Sequence, residues 1–409
     1  MSARFFNHEL ANGLRIVVER MDDVRSSAAG FLCRTGSRDE TPDVAGVSHF
    51  LEHMCFKGTA HRSATDINID FDRIGGQPNA FTSHDRTFYY SVTRAADLDK
   101  QIDILADMMR SVLPPDEFAM EKKVVLEEIA QSNDRIEHVA FDVLIEELFK
   151  GHPLGWPVLG YERTIDPLTR DQMHAYFQSR YAPDNMVLVA AGAVDPDELV
   201  ALAEKHCDQW QPGASPSRRT VPTLHSGRVT RRLERFNQQV IALTYPAPSG
   251  ISPLHETGEA LAIILGGNNS RFFWAIEQEG LCPHAAAYRL DFSDCGLLIL
   301  LAQCDPDKAE AVETAMRTEA KRIMTDSVTP AEIQRVRNKR RTSLAVEGES
   351  PYHRLVQVMD DVDYRGQPRT VEQRLAAVDA VGRESLAEYF ASFPIDGEGL
   401  FVSVGPRAA

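Results

Sequence analysis

The stretch His49-Phe50-Leu51-Glu52-His53 sets two imidazoles four residues apart with a carboxylate beside the second. On a helix the i, i+3 and i+4 positions share one face, so these three side chains project into the same space. Two neutral imidazoles at that spacing can share one zinc ion, and the glutamate stands next to the metal without binding it. Such a set supplies ligands together with a base that takes a proton from a metal-activated water, which metal-assisted hydrolysis requires. The order His-x-x-Glu-His is the reverse of the commoner His-Glu-x-x-His. The competing reading is an ordinary helix surface, where His and Glu are common.

Zinc held by two histidines needs a third protein ligand and one open position. The run Glu121-Lys122-Lys123-Val124-Val125-Leu126-Glu127-Glu128-Ile129 offers carboxylates on a rigid element. As a helix it places Glu121, Val124, Val125 and Glu128 on one face and turns Glu127 about 100° away from Glu128. Carboxylates one heptad apart among valines are costly unless a cation meets them. The alternative is a solvated face of a charged helix. Cys55, two residues past His53, is read as a small buried residue rather than a ligand.

The elements that would position these residues follow from periodicity and turn signals. Residues 5–36 read as strands turned at Asn12-Gly13. The periodic segment after Gly46 reads as a helix buried on most sides, and a short helix over 64–74 stops at Gly75-Gly76. Gln77 to Thr93 reads as a strand pair turned near Ser83–Arg86. Pro114-Pro115 opens a long helical region to about Lys150, in one piece or two. Past the Pro-rich stretch ending at Gly227 the order reads as beginning again. A strand over 240–245 precedes a helix over 254–265, a helix near 270–279 and a strand over 296–301. The expectation is an α+β protein of two similar domains, each a mainly antiparallel sheet with helices packed on one side. The boundaries expected are 1–212 for a metal-binding catalytic domain, a linker at 213–227, and 228–409 for a non-catalytic copy without the metal residues, whose 254–265 helix carries only His255.

Length and composition bound the answer. A chain of 409 residues exceeds one core, and 43% hydrophobic with 25% charged residues is an ordinary globular balance. A net charge of −16 argues against sequence-independent binding to nucleic acid or anionic membranes. No run of eighteen apolar residues occurs, and residues 1–8 show neither a signal h-region nor an Arg/Ser-rich arm, so a cytoplasmic protein is expected. The six cysteines show no Cys-x-x-Cys spacing and read as free thiols.

Taken together, His49–His53, Phe56-Lys57-Gly58-Thr59, Asn79-Ala80-Phe81-Thr82 and Val124-Val125-Leu126-Glu127-Glu128-Ile129 resemble the pitrilysin family of zinc peptidases, the inverzincins. The loop Gly151–Gly155 and the run Tyr181–Met186 resemble it too. This resemblance implies one zinc ion bound by His49, His53 and Glu128, with Glu52 as the general base. It implies Glu121 as a supporting carboxylate beside the catalytic machinery. It also implies that Asn79, Ala80 and Phe81 lie on a sheet edge to which an extended peptide adds as a strand. The second half departs from the family pattern. Aligned on Gly280-Leu281, the substrate-binding arginine and tyrosine of the family fall on Ile276 and Pro283. At this half length the resemblance is to subunits that dimerise, so a homodimer, or a heterodimer with a metal-less partner supplying that pair, is expected. The activity implied is that of a zinc metalloendopeptidase on unfolded or short peptides. The alternatives are a non-catalytic scaffold subunit of the same fold and a dedicated precursor-processing peptidase.

Overall fold

The computed structural model describes residues 4–213, 219–326 and 328–407, so residues 214–218 of the expected linker lie outside the described residues. Six strands, β1 (Arg4–Glu9), β2 (Arg15–Arg20), β3 (Ser26–Cys33), β4 (Gln77–Thr82), β5 (Thr87–Arg94) and β6 (Met186–Gly192), form one sheet. Its order is β1-β2-β6-β3-β5-β4. Five more, β7 (Gly227–Arg232), β8 (Gln239–Ala247), β9 (His284–Asp291), β10 (Gly296–Cys304) and β11 (Leu400–Gly405), form a second sheet in the order β7-β11-β8-β10-β9. Each sheet has one parallel pair, β2 with β6 and β7 with β11, and its other pairings are antiparallel. The β1–β2 turn is at Asn12-Gly13, where Gly13 takes a φ of 89° that only glycine adopts cheaply. The α+β class and the repeated plan are as the sequence implied.

Two compact units result. The first comprises Met1–Ala130, Trp156–Thr220 and Ala345–Val371; the second comprises Gln131–Gly155, Val221–Leu344 and Glu372–Ala409. They therefore do not follow the contiguous division 1–212 and 228–409. The reason is that each sheet has two apolar faces. On the first sheet, Val17, Ala28, Leu32, Phe88, Val187 and Val189 are fully buried under Leu355, Val358, Met359 and Val362 of the helix Pro351–Arg365. On the second, Val240, Leu297, Ile299 and Val404 are buried under Ala140, Leu144 and Leu148 of the helix Ile136–Leu148. Helices thus cover a second face as well, and each comes from the opposite half of the sequence.

Burial alone does not seat the helix Pro351–Arg365. Arg354, fully buried, meets Glu19 of β2 at 2.8 Å, and Arg86 reaches Asp363 at 3.0 Å and Asp360 at 2.5 Å. The long helical region splits into Pro115–Asn133 and Ile136–Leu148. The helix expected near 270–279 is one π-type turn, Phe273–Glu277, with Ile276 buried. No helix among the described residues is long and apolar enough to cross a membrane.

Candidate metal centre and active site

The helix Val47–Cys55 is held from below by fully buried Val47, Phe50, Leu51, Met54 and Cys55. Its first turn has no side-chain cap of its own, because Gly46 precedes it with a φ of 96°. Glu40 fills that role from the preceding loop, accepting the amides of Gly46 at 2.6 Å and Ser48 at 2.7 Å. Burial pushes the Glu40 carboxyl up to about 8, against these two bonds. The Ser48 hydroxyl adds a tie to the Tyr176 hydroxyl at 2.7 Å. The helix Pro115–Asn133 is joined to this one through the stacked rings of Phe50 and Phe118, with centroids 4.9 Å apart.

These two helices bring His49, His53 and Glu128 together, with their ligand atoms all within 4.8 Å of one another. Glu128 Oε2 lies 3.9 Å from His49 Nε2 and 3.6 Å from His53 Nε2. Glu121 does not join the trio. Its Oε1 lies 2.8 Å from His53 Nδ1, and its other oxygen lies 2.6 Å from Lys57 Nζ. That bond assigns the His53 proton to Nδ1 and turns the Nε2 lone pair toward Glu128. Burial opposes the Glu121 charge, but Lys57 and His53 outweigh it and hold its pKa below the usual carboxylate value. His49 is held neutral, its pKa lowered to about 3 by burial and then by the neighbouring His53.

A zinc ion fits this donor set. Two unprotonated ring nitrogens and a carboxylate converge, and among the described residues neither lysine nor arginine pairs with Glu128. Glu52, one residue before His53, is half-buried, and its desolvation raises its pKa in the metal-free chain. It accepts a 2.5 Å hydrogen bond from Thr82 Oγ1, which opposes that rise. Cys55 is a core thiol, pushed up to about 12 by burial.

Thr82 ends β4, and β4 is an edge strand paired only with β5. The bond from Ser83 N to Arg86 O closes the hairpin. With the register Thr82↔Thr87 and Ala80↔Tyr89, antiparallel alternation then turns the backbone groups of Ala80 and Thr82 outward. The Ala80 amide indeed bonds the Asn79 side chain at 2.9 Å and not β5. Pro78, which has no amide hydrogen, occupies the third outward position. Phe81 points to the opposite face of the sheet, beside Phe88 at 5.9 Å.

The structure therefore brings His49, Glu52, His53, Glu121 and Glu128 together and puts Asn79–Phe81 on an open edge. Residue spacing alone missed three participants. Thr82 stands inside a quoted motif, but its bond to Glu52 depends on sheet register. Lys57 is likewise in a motif. Glu40 is six residues from the amide it caps, beyond any capping-box spacing. In the second unit, Ile276 is buried and Arg271 is bound to Glu332 at 2.8 Å, so Arg271 is committed to its own helix contact.

The chain is similar to known proteins along most of its length. Residues 15–162 match the family described as insulinase (peptidase family M16). Residues 167–340 match the peptidase M16 inactive domain. The chain is 32% identical to the "uncharacterized zinc protease YmxG" of Bacillus subtilis over 379 residues, covering 91% of each. It is 33% identical to an "uncharacterized zinc protease" of Rickettsia felis, covering 85% of each. Its fold matches a protease from Helicobacter pylori with a TM-score of 0.92 at 21% identity, covering 98% of this chain and 100% of that one. The zinc-peptidase resemblance drawn from the motifs is borne out, and with identity sustained over nine-tenths of a relative's length the chain belongs to peptidase family M16.

Proposed function

We propose that the chain is a zinc metalloendopeptidase that cleaves extended peptides paired to the open edge of β4. The observation that carries this reading is the convergence of His49, His53 and Glu128 beside a half-buried Glu52 that is bonded to the end of that edge. In this reading His49, His53 and Glu128 hold zinc, which when bound polarises the attacking water and the scissile carbonyl. Ala80 and Thr82 offer outward backbone groups that position the peptide as a further strand. Asn79 releases the Ala80 amide as the peptide arrives. Glu52 takes the proton from the attacking water and passes it to the departing amine nitrogen. Glu121 and Lys57 keep His53 in the tautomer that presents Nε2. The complete donor set favours this reading over a scaffold role.

A quenched-peptide assay before and after chelation tests it. Cleavage is expected to vanish on chelation and to return with added zinc. Chelator-resistant cleavage would overturn the metal assignment. Absence of cleavage by the zinc-loaded chain, with or without a candidate partner subunit, would favour the scaffold reading.

A further inference from the structure

The second unit repeats the local plan of the metal centre. In the first unit a helix follows β3, and the last residue of edge strand β4, Thr82, pairs with the first residue of β5 and bonds Glu52. In the second unit the helix His255–Leu265 follows β8. The last residue of edge strand β9, Asp291, pairs with the first residue of β10, Gly296, and bonds His255 at 2.9 Å. His255, Glu259 and Asp291 form a second donor set with ligand atoms within 4.8 Å of one another. Helices of 19 residues, Pro115–Asn133 and Pro330–Gly348, stand in corresponding places along the chain. The first brings Glu128 to its centre, whereas the second brings Arg340, 3.2 Å from Glu256.

The difference lies in the cation. Arg289, with its side chain 1% exposed, lies between the two carboxylates of the second set. Its Nε is 3.4 Å from Glu259 and its Nη2 bonds Asp291. Its Nη1 rests on Gly258, where a Cβ would lie 2.1 Å away. Glycine inside a helix is disfavoured relative to alanine, and here it leaves room for the guanidinium. We propose that the second unit holds a metal-free counterpart of the first unit's centre, in which the guanidinium of Arg289 fills the cation's place among His255, Glu259 and Asp291. The donors are kept in a converging arrangement by a built-in charge, so this unit takes no metal while Arg289 is seated. Removing that charge converts the set into a divalent-cation site of one histidine and two carboxylates.

The test uses the full chain with His49→Ala and His53→Ala, so its outcome is independent of the proposed peptidase centre. Cobalt(II) is titrated and followed by visible absorption and equilibrium dialysis. With Arg289 intact, no cobalt is expected to bind; with Arg289→Met, one equivalent per chain; with Arg289→Lys, none. Cobalt bound at this cluster with Arg289 intact, or a folded Arg289→Met variant that binds none, would overturn the proposal. If Arg289→Met is unfolded without metal, refolding on addition of zinc supports it and failure to refold contradicts it. Gly258→Ala is a separate check on the seat. It is expected to lower the melting temperature despite the better helix former, and a rise would contradict the packing of Arg289 on Gly258.

Discussion

Glu52→Gln is expected to lower kcat by about 10²–10⁴-fold, the usual contribution of a positioned acid–base group, while the purified protein keeps its zinc. Glutamine can still accept from Thr82 Oγ1, so the bond to the end of β4 survives and only the proton-carrying oxygen is lost. Metal content and peptide binding should therefore stay near wild type. Wild-type activity in this variant would mean that another group handles the proton. The sign of the pH dependence follows from the same residue. Glu52 must be ionised to accept a proton, so kcat/KM is expected to fall on the acid side as that carboxylate protonates.

The second large effect concerns stability. Arg354→Met removes a fully buried guanidinium from Glu19, whose side chain is 4% exposed. Breaking one side of a buried ion pair costs about 3–5 kcal/mol, because the remaining charge stays desolvated. The helix Pro351–Arg365 covers Val17, Leu32, Phe88 and Val189, so loosening it also wets an apolar sheet face. Denaturant unfolding of the first unit should shift by that amount, and the double variant Glu19→Gln/Arg354→Met should recover much of it. An unchanged midpoint for Arg354→Met would show that the pair does not hold this helix.

The chemistry was far more legible in the sequence than the packing. His49, Glu52 and His53 are related by helical periodicity, whereas the heptad makes Glu121 and Glu128 candidates only and the family resemblance singles out Glu128. The exchange of helices was not legible. A strand buried on both faces, such as Met186–Gly192, is a continuous apolar run that does not say which helix covers it. Pro351–Arg365 reads as an amphipathic helix wherever it packs. Register explains the rest: the bonds Thr82–Glu52 and Asp291–His255 join residues whose proximity is set by strand pairing, not by spacing along the chain. The second donor set was not legible, because a lone His255 on its helix gives no metal spacing and Asp291 joins it only through strand pairing.

Anomalous diffraction at the zinc edge, on crystals of the zinc-loaded chain, tests the central claim most directly. One peak is predicted, bound by His49, His53 and Glu128, with Glu121 on the far side of the His53 ring. A loaded protein with no peak there, or with its peak at His255, Glu259 and Asp291, would contradict the account.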